Sequence, residues 1–487
     1  MKDIFNNHEI VFASTNDEEN YMLSKEKKKG NLIKIAPRIY TTNPNDSAEN
    51  IIRRNLFRIL GFLFPNSILS HRSAFECRPT DSGDIFLTYK YSKNITLPGV
   101  KVHLIKGSGP IEGDYPFLDG MYVSGTARSY LENLQRSNGH SIISKTLQQN
   151  VIEEKLEIML RTGGETALNK LRDEAKVIAP KLGMKAEYDK LNKLIGALLN
   201  TNSKDIITSP IVEARILGEP YDNNRLDLFL TLMKALNDKT FNDILEPNKS
   251  HTEFSNFAFF ESYFSNYIEG TEFELDDAKQ IVDSKTPLPA RNADSHDILG
   301  TFDICSNKQE MEIIPSSFDD FIKILQRRHS IMLSARPNAH PGEFKTRNNR
   351  AGQTHFVEYT LVRGTLKKGF EVYGAVRHPF AKAIFMLFLI SEVHPFEDGN
   401  GRISRIMMNS EMVHSEQAKI IIPTVFRPDY LGALRQISRY SNPEVLIKAL
   451  MRVREFSANI QGTFNEMKDY IESCNGFKDD EDYILRF

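Results

Sequence analysis

Cysteine is scarce. Cys77, Cys305 and Cys474 are the only three, far apart and without a CxxC pair, which excludes a disulfide framework and a thiolate zinc site. Long apolar runs are missing as well: the longest, Ala383 to Ile390, has eight residues, far short of the roughly 20 that cross a bilayer. Neither sign of charge dominates, with 62 Lys+Arg against 64 Asp+Glu and a net charge of −2. That excludes a globally basic nucleic-acid coat, though not one basic region. No Gly-Lys dipeptide occurs, so there is no Walker A loop, and no HExxH occurs either. The first seven residues are too polar for the core of a signal peptide. The expectation is a soluble cytoplasmic protein without a membrane partner.

What is present is 487 residues, 40% hydrophobic and 26% charged. One core rarely serves more than roughly 250–300 residues, so several domains are expected. Residues 1–138 read as a small α+β domain. It has a helix over Asp17–Lys29 stopped by Gly30, strands at Leu32–Ile35 and Arg38–Thr42, and a helix over Ser47–Phe64. Strands at Ile85–Tyr91 and Val100–Lys106 follow, separated by Asn94 to Gly99. Residues 139–219 read as a helical connector, broken at Gly163-Gly164 and Ala179-Pro180. Residues 220–460 stay mainly helical, and 461–487 form a tail.

The chemistry concentrates in His394-Pro395-Phe396-Glu397-Asp398-Gly399-Asn400-Gly401-Arg402-Ile403-Ser404-Arg405. An apolar helix-like run precedes it and helical spacing resumes at Asn400, so the motif is a loop ending on a helix N-terminus. That position offers unpaired N–H groups and the positive end of the helix dipole, a ready anion site. Gly399 and Gly401 clear side chains from the approach of a phosphate. Arg402 and Arg405 share one side of the first turn and can reach phosphate oxygens. Asp398 is a hard oxygen ligand suited to Mg²⁺. His394 can act as a general base at neutral pH, and Phe396 anchors the loop. The pattern describes phosphoryl-group chemistry on a nucleotide. His378-Pro379-Phe380 echoes it without the GNGR and reads as the start of a helix.

The stretch resembles the Fic (filamentation induced by cyclic AMP) signature, HPFx[DE]GNGRxxR, and matches every fixed position. The resemblance implies a mainly α fold, a helical Fic domain with a β-hairpin flap, preceded here by the small winged-helix-like α+β domain. It implies AMP transfer from ATP, with Mg²⁺ or Mn²⁺, to a Ser, Thr or Tyr hydroxyl of a protein, its own included. His394 is then the base, Asp398 the metal ligand, and Gly399, Asn400, Gly401, Arg402 and Arg405 the phosphate binders. His340 to Arg347 and Thr354 to Tyr359 look like the flap, with Asn348 to Gly352 turn-rich between extended runs and Lys345 where relatives often carry Arg. Ser265-Asn266-Tyr267-Ile268-Glu269-Gly270 fits the family's inhibitory pattern [ST]xxxE[GN], on a helix near 253–270. That implies that Glu269, four residues after Ser265, pairs with Arg405 where the ATP γ-phosphate belongs.

Between Lys25 and Arg58 nine Lys/Arg stand against three acids, suited to duplex DNA. Gly30-Asn31-Leu32-Ile33-Lys34-Ile35, Arg38-Ile39-Tyr40 and Ser70-His71-Arg72-Ser73-Ala74 look like AbiEi-type antitoxins, which begin with a winged helix and often repress their own operon. Two alternatives stay open: removal of AMP at the same site, and a DNA-binding regulator whose Fic half senses nucleotide.

Overall fold

A computed structural model describes residues 9–13, 16–137, 143–199, 201, 205–478 and 483–487. The polar stretch 1–7 and the boundary placed at 138/139 lie outside them. Contacts divide the chain into two units, Met1–Ile216 and Leu217–Phe487.

In the first unit, β1 (Ile10–Phe12), α1 (Asp17–Lys28), β2 (Ile33–Ala36) and β3 (Ile39–Thr41) form a helix with an antiparallel sheet of order β1-β3-β2. Leu23 of α1 packs with Val11, Leu32 and Tyr40, and Gly30 ends the helical stretch at φ +81°. The expected helix over Ser47–Phe64 is two helices, α2 (Ala48–Arg54) and α3 (Leu56–Leu63). They meet at Asn55, at φ −106° and ψ 14°, whose side-chain amide donates to Ile51 O and Glu9 Oε2 beside the backbone bond to Ile51 O.

β4 (Ile68–Leu69), α4 (Arg72–Glu76), β5 (Asp84–Tyr89), β6 (Lys93–Leu97), β7 (Val100–Lys106), β8 (Tyr115–Pro116) and β9 (Tyr122–Val123) follow. Their strands form a mixed sheet of order β6-β7-β5-β4-β9-β8. β6 falls where a spacer was expected. It is an edge strand with a mostly solvated polar sequence, so it lacks apolar alternation. α5 (Thr126–Asn133), α6 (Gln149–Leu182), α7 (Lys185–Leu198) and α8 (Pro210–Ile216) complete the unit. The helices read as a connector share one apolar cluster with α5, including Leu131, Ile152, Leu168 and Leu194. α6 kinks at Gly164 (φ +67°) as expected. It does not break at Ala179-Pro180, because Pro180 lies in the last turn. There Met184 N reaches Ala179 O and Gly183 in the left-handed conformation closes the helix.

The second unit is helical: α9 (Asn223–Asn237), α10 (His251–Ile268), α11 (Leu275–Ser284), α12 (Asn292–Cys305), α13 (Lys308–Met311) and α14 (Phe318–Met332). A small hairpin, β10 (Arg350–Ala351) with β11 (Thr354–His355), leads to α15 (Val362–Tyr373), α16 (Pro379–Val393) and α17 (Asn400–His414). α18 (Arg427–Tyr440), α19 (Pro443–Ala458) and α20 (Phe464–Ser473) follow. The hairpin turns at Gly352-Gln353, slightly later than the turn-rich run suggested, and Arg350 and Ala351 are strand rather than turn. His378 caps α16 by accepting the Phe380 N–H at 3.1 Å. α16 is apolar all round and is the unit's central helix: Phe380, Phe385, Phe388 and Ile390 are fully buried. The tail also packs here, with Phe464 stacked on Phe260 and Phe477 on Phe264.

A charged pair sits in this core. Lys419 Nζ lies 3.3 Å from Glu261 Oε2 and 3.8 Å from the centre of the Phe254 ring. Glu261 also accepts from Asn409 Nδ2 at 2.8 Å and from the Cys305 thiol. Burial, and then the Glu261 charge, push that thiol well above its usual pKa. Removing one partner of such a pair strands the other charge. We expect Lys419→Met to cost about 3–5 kcal/mol and Glu261→Gln/Lys419→Met to recover most of it. Urea midpoints of the three proteins measure both.

Candidate active site

α16 and α17 are joined by a six-residue loop, and local geometry dictates its path. His394 caps α16 in the left-handed region at φ +52°, donating its backbone N–H to Ile390 O at 2.9 Å, and Pro395 prevents continuation. Asn400 then closes the loop on itself: its Oδ1 accepts the Phe396 N–H at 2.9 Å and its Nδ2 donates to Phe396 O at 2.9 Å. Gly399 caps α17 at φ +73°, where a Cβ would lie 2.9 Å from both Leu333 and Met332 side-chain carbons. Asp398 Oδ1 accepts the Gly399 N–H at 2.7 Å while its side chain stays about half exposed.

Phe396 is fully buried, face to face with His329 at 3.7 Å between ring centres. His329 Nδ1 accepts the Gly342 N–H at 2.9 Å, so Nε2 carries the proton and donates to Asp398 O at 3.0 Å. One buried ring thus ties the loop between α16 and α17 to the segment leading into the hairpin. That segment is also bound by Lys345 N donating to Pro395 O at 2.9 Å and Asn349 Nδ2 to Phe396 O at 2.9 Å. Burial pulls the Lys345 ammonium down to about 8, and its Nζ donates to Asn349 Oδ1. The hairpin is anchored beneath by Arg225 Nη2 donating to His355 O at 2.7 Å and Arg439 Nη2 to Thr354 Oγ1 at 2.8 Å.

The His394 ring donates from Nδ1 to Ser391 O at 3.3 Å, which leaves Nε2 as the free lone pair. Phe356, just past the hairpin, stacks on it at 3.6 Å and 5°. Burial lowers the His394 pKa to about 4, and the Lys345 charge adds to that. The ring is therefore neutral at pH 7.

Arg405 lies nearly buried under the first turn of α17. Its Nε donates to Ser265 Oγ at 3.0 Å, and its Nη2 to Ser265 O at 2.8 Å and Glu269 Oε1 at 2.7 Å. Burial works against its charge, but Glu269 and Tyr430 outweigh it and raise the pKa. Glu269 caps the C-terminus of α10, as its place before Gly270 suggested. Its carboxylate fills the space beside Gly401, where a Cβ would lie 2.0 Å from Oε1. Arg402 is buried and faces the protein, donating to Asp297 Oδ2 at 2.6 Å and Asn266 Oδ1 at 3.2 Å, with Asp398 Oδ2 at 3.7 Å.

His394, Asp398, Gly399, Gly401, Arg405, Ser265 and Glu269 therefore converge on the N-terminus of α17. The side chains of Asn400, Arg402 and Phe396 face inward and set the loop. For an anion this leaves the Arg405 guanidinium and the first-turn N–H groups, which have no intrahelical partners. Among the described residues no cluster of three or more His, Cys, Asp or Glu could cage a metal. The lone half-exposed Asp398 carboxylate instead suits Mg²⁺, which takes its other ligands from water and phosphates.

Sequence reading missed His329, Phe356, Asp297 and Tyr430. His329 lies on the apolar stripe Phe321–Leu325–His329–Met332, a spacing that signals burial but no particular partner.

Residues 319–412 match the family model described as "Fic/DOC family". Protein adenylyltransferase Fic of Drosophila melanogaster is 25% identical over 178 residues, 36% of either chain. The Drosophila erecta protein of that name is 22% identical over 339 residues, 66% of this chain and 65% of its own. Most of these relatives are thus matched over about a third of their length. Among solved structures, Fic-1 (aa134–508) from C. elegans aligns at 17% identity and a TM-score of 0.35, covering 67% of this chain and 92% of that one.

His329 makes the site acid-sensitive. Burial lowers its pKa from 6.5 to about 4, so between those values the unfolded chain binds a proton that the folded one does not. Its contribution is complete above about pH 6.5 and is lost as pH falls toward 4, up to about 3 kcal/mol. His329→Gln should be less stable at pH 7, having lost the stack. Its further loss between pH 7 and 4.5 should be smaller than wild type's by about 2 kcal/mol in urea unfolding.

Proposed function

We propose that this protein is a protein adenylyltransferase that moves AMP from ATP to a Ser, Thr or Tyr hydroxyl, held back by Glu269. The observation that carries the reading is the α17 N-terminus, where a neutral histidine, an anion cradle and a buried arginine meet and the Glu269 carboxylate occupies the cradle. In the reaction, His394 Nε2 takes the hydroxyl proton and the oxygen attacks the α-phosphorus. The bond to the β-phosphate oxygen breaks and pyrophosphate leaves. The N–H groups of α17 and Arg405 stabilise the charge gathering on the phosphates. Asp398 would hold Mg²⁺, which supplies charge neutralisation on the phosphates. Phe356 must leave the face of His394 or slide along it for a hydroxyl to enter. His329, Asn400 and Phe396 keep the loop in shape.

Glu269 and a γ-phosphate compete for Arg405. The charge-assisted Arg–carboxylate contact is a strong competitor in a closed site. ATP entering beside it is displaced, and a misplacement of about 1 Å costs on the order of a hundredfold in rate. At equal, subsaturating ATP, Glu269→Gly should incorporate labelled AMP into lysate proteins or itself well above wild type. Adding His394→Ala to that variant should abolish the signal. Incorporation that survives loss of His394 removes the general-base assignment. A folded Glu269→Gly no faster than wild type favours AMP removal at this site, with Glu269 itself activating water.

A second reading rests on the first unit: α1 ends in the exposed Lys25, Lys27, Lys28 and Lys29 and is followed by the β2–β3 hairpin, the order of a winged helix. Of the nine cations counted between 25 and 58, Arg54 is paired with both Glu9 and Asp46, and Lys29 with Glu26. The remaining ones suit duplex DNA as an operator-binding module. The full chain should bind duplex DNA with steep salt dependence, and Lys27, Lys28 and Lys29→Glu should weaken binding to every sequence. Binding at low salt that ignores those changes excludes the module.

A further inference from the structure

The hairpin beside His394 carries exposed basic side chains. From Lys345 to Val357 the sequence contains no Asp or Glu, in a chain whose net charge is −2. Lys345 is buried, but Arg347 keeps 80% of its side chain exposed and Arg350 is exposed. Arg350 stands directly opposite His355 in the β10–β11 register. The Glu397 carboxylate lies 3.5 Å from Arg347 and 3.4 Å from His340 and is shared between them, and Glu343 and Glu358 flank the stretch in sequence. Among the described residues no salt bridge reaches Arg350. Arg225, itself paired with Glu392 at 2.9 Å, and Arg439 hold the hairpin from its other side.

Basic side chains grouped this way repel one another unless an anion lies between them. Among the described residues β10 has no second partner strand, so its outer edge can take an extended peptide through main-chain hydrogen bonds. A polynucleotide has no donors and acceptors at that spacing. Phe356, the residue after β11, stacks on His394, so a peptide on this hairpin lies beside the base.

We propose that Arg347 and Arg350 select an acidic segment of the protein substrate, one whose receiving hydroxyl is flanked by Asp or Glu. The term "substrate" rests on the adenylylation reading; the binding does not. The test uses the full chain without ATP and fluorescence anisotropy at low ionic strength. The probes are a labelled peptide with a central tyrosine flanked by acidic residues and its lysine-flanked counterpart. The acidic peptide should bind and the lysine peptide should not, and added salt should weaken binding. Arg347→Glu/Arg350→Glu should weaken it about tenfold. Lys323→Glu/Lys448→Glu, the same charge change at exposed positions elsewhere in the unit, should leave it intact.

Equal binding by the hairpin variant overturns the proposal. So does a single-stranded oligonucleotide of matching charge that binds more tightly than the peptide and is lost in that same variant. Acidic-peptide binding that depends on Arg347 and Arg350, in a chain that never incorporates AMP, removes the adenylylation reading and leaves this one standing. AMP incorporation that ignores the acidity of the peptide does the reverse.

Discussion

The Asn400 side chain, closed on both backbone groups of Phe396, is the constraint on which the site depends. A loop this short between two buried helices cannot leave its peptide groups unpaired. Asn400 satisfies the donor and the acceptor of Phe396 together, and this drives the Phe396 ring into the core. The ring meets His329, and His329 fixes the Asp398 carbonyl and the Gly342 amide. From one amide the order therefore passes to the helix N-terminus, the half-exposed carboxylate of Asp398 and the base of the hairpin. An alternative loop path would leave an unpaired polar group in a dry site at each step.

Charge is distributed accordingly. Arg402 and Arg405 lie three residues apart on one helix yet have different surroundings. Arg402 is bound by Asp297, which is also held by Arg336, and so acts as a strut between α12 and α17. Arg405 is bound by the end of α10, through Ser265 and Glu269. Glu269 is about a third exposed, whereas Asp297 is nearly fully buried. Of the two arginines, Arg405 is therefore the one whose hydrogen-bonded carboxylate is reachable by solvent.

The histidines divide along the same line. His329 and His394 are both held neutral by burial, but His329 uses both ring nitrogens within the protein, whereas His394 uses one and leaves the other free. Stacking holds each ring flat, on Phe396 and Phe356 respectively. The first stack lies inside the core. The second involves Phe356, just past the hairpin and only partly buried.

Some of this was legible in the amino-acid order because it is local. The spacing of glycines, arginines and the acid from His394 to Arg405, the apolar run of α16 and the stop at Gly270 all act within one or two helical turns. They fix a loop on a helix N-terminus and a carboxylate at a helix end. The edge strand β6 and the split at Asn55 were not legible: β6 is mostly solvated and lacks apolar alternation, and Asn55 meets the distant Glu9. The pairing of Arg405 with Glu269 spans 136 residues and was expected only through resemblance to a family. The His329–Phe396 stack, the inward turn of Arg402 and the closure of Phe356 over His394 were not foreseeable at all. Periodicity says which face of a helix is buried; only the packing of that face against others decides which side chain it meets, and so which groups remain free for chemistry.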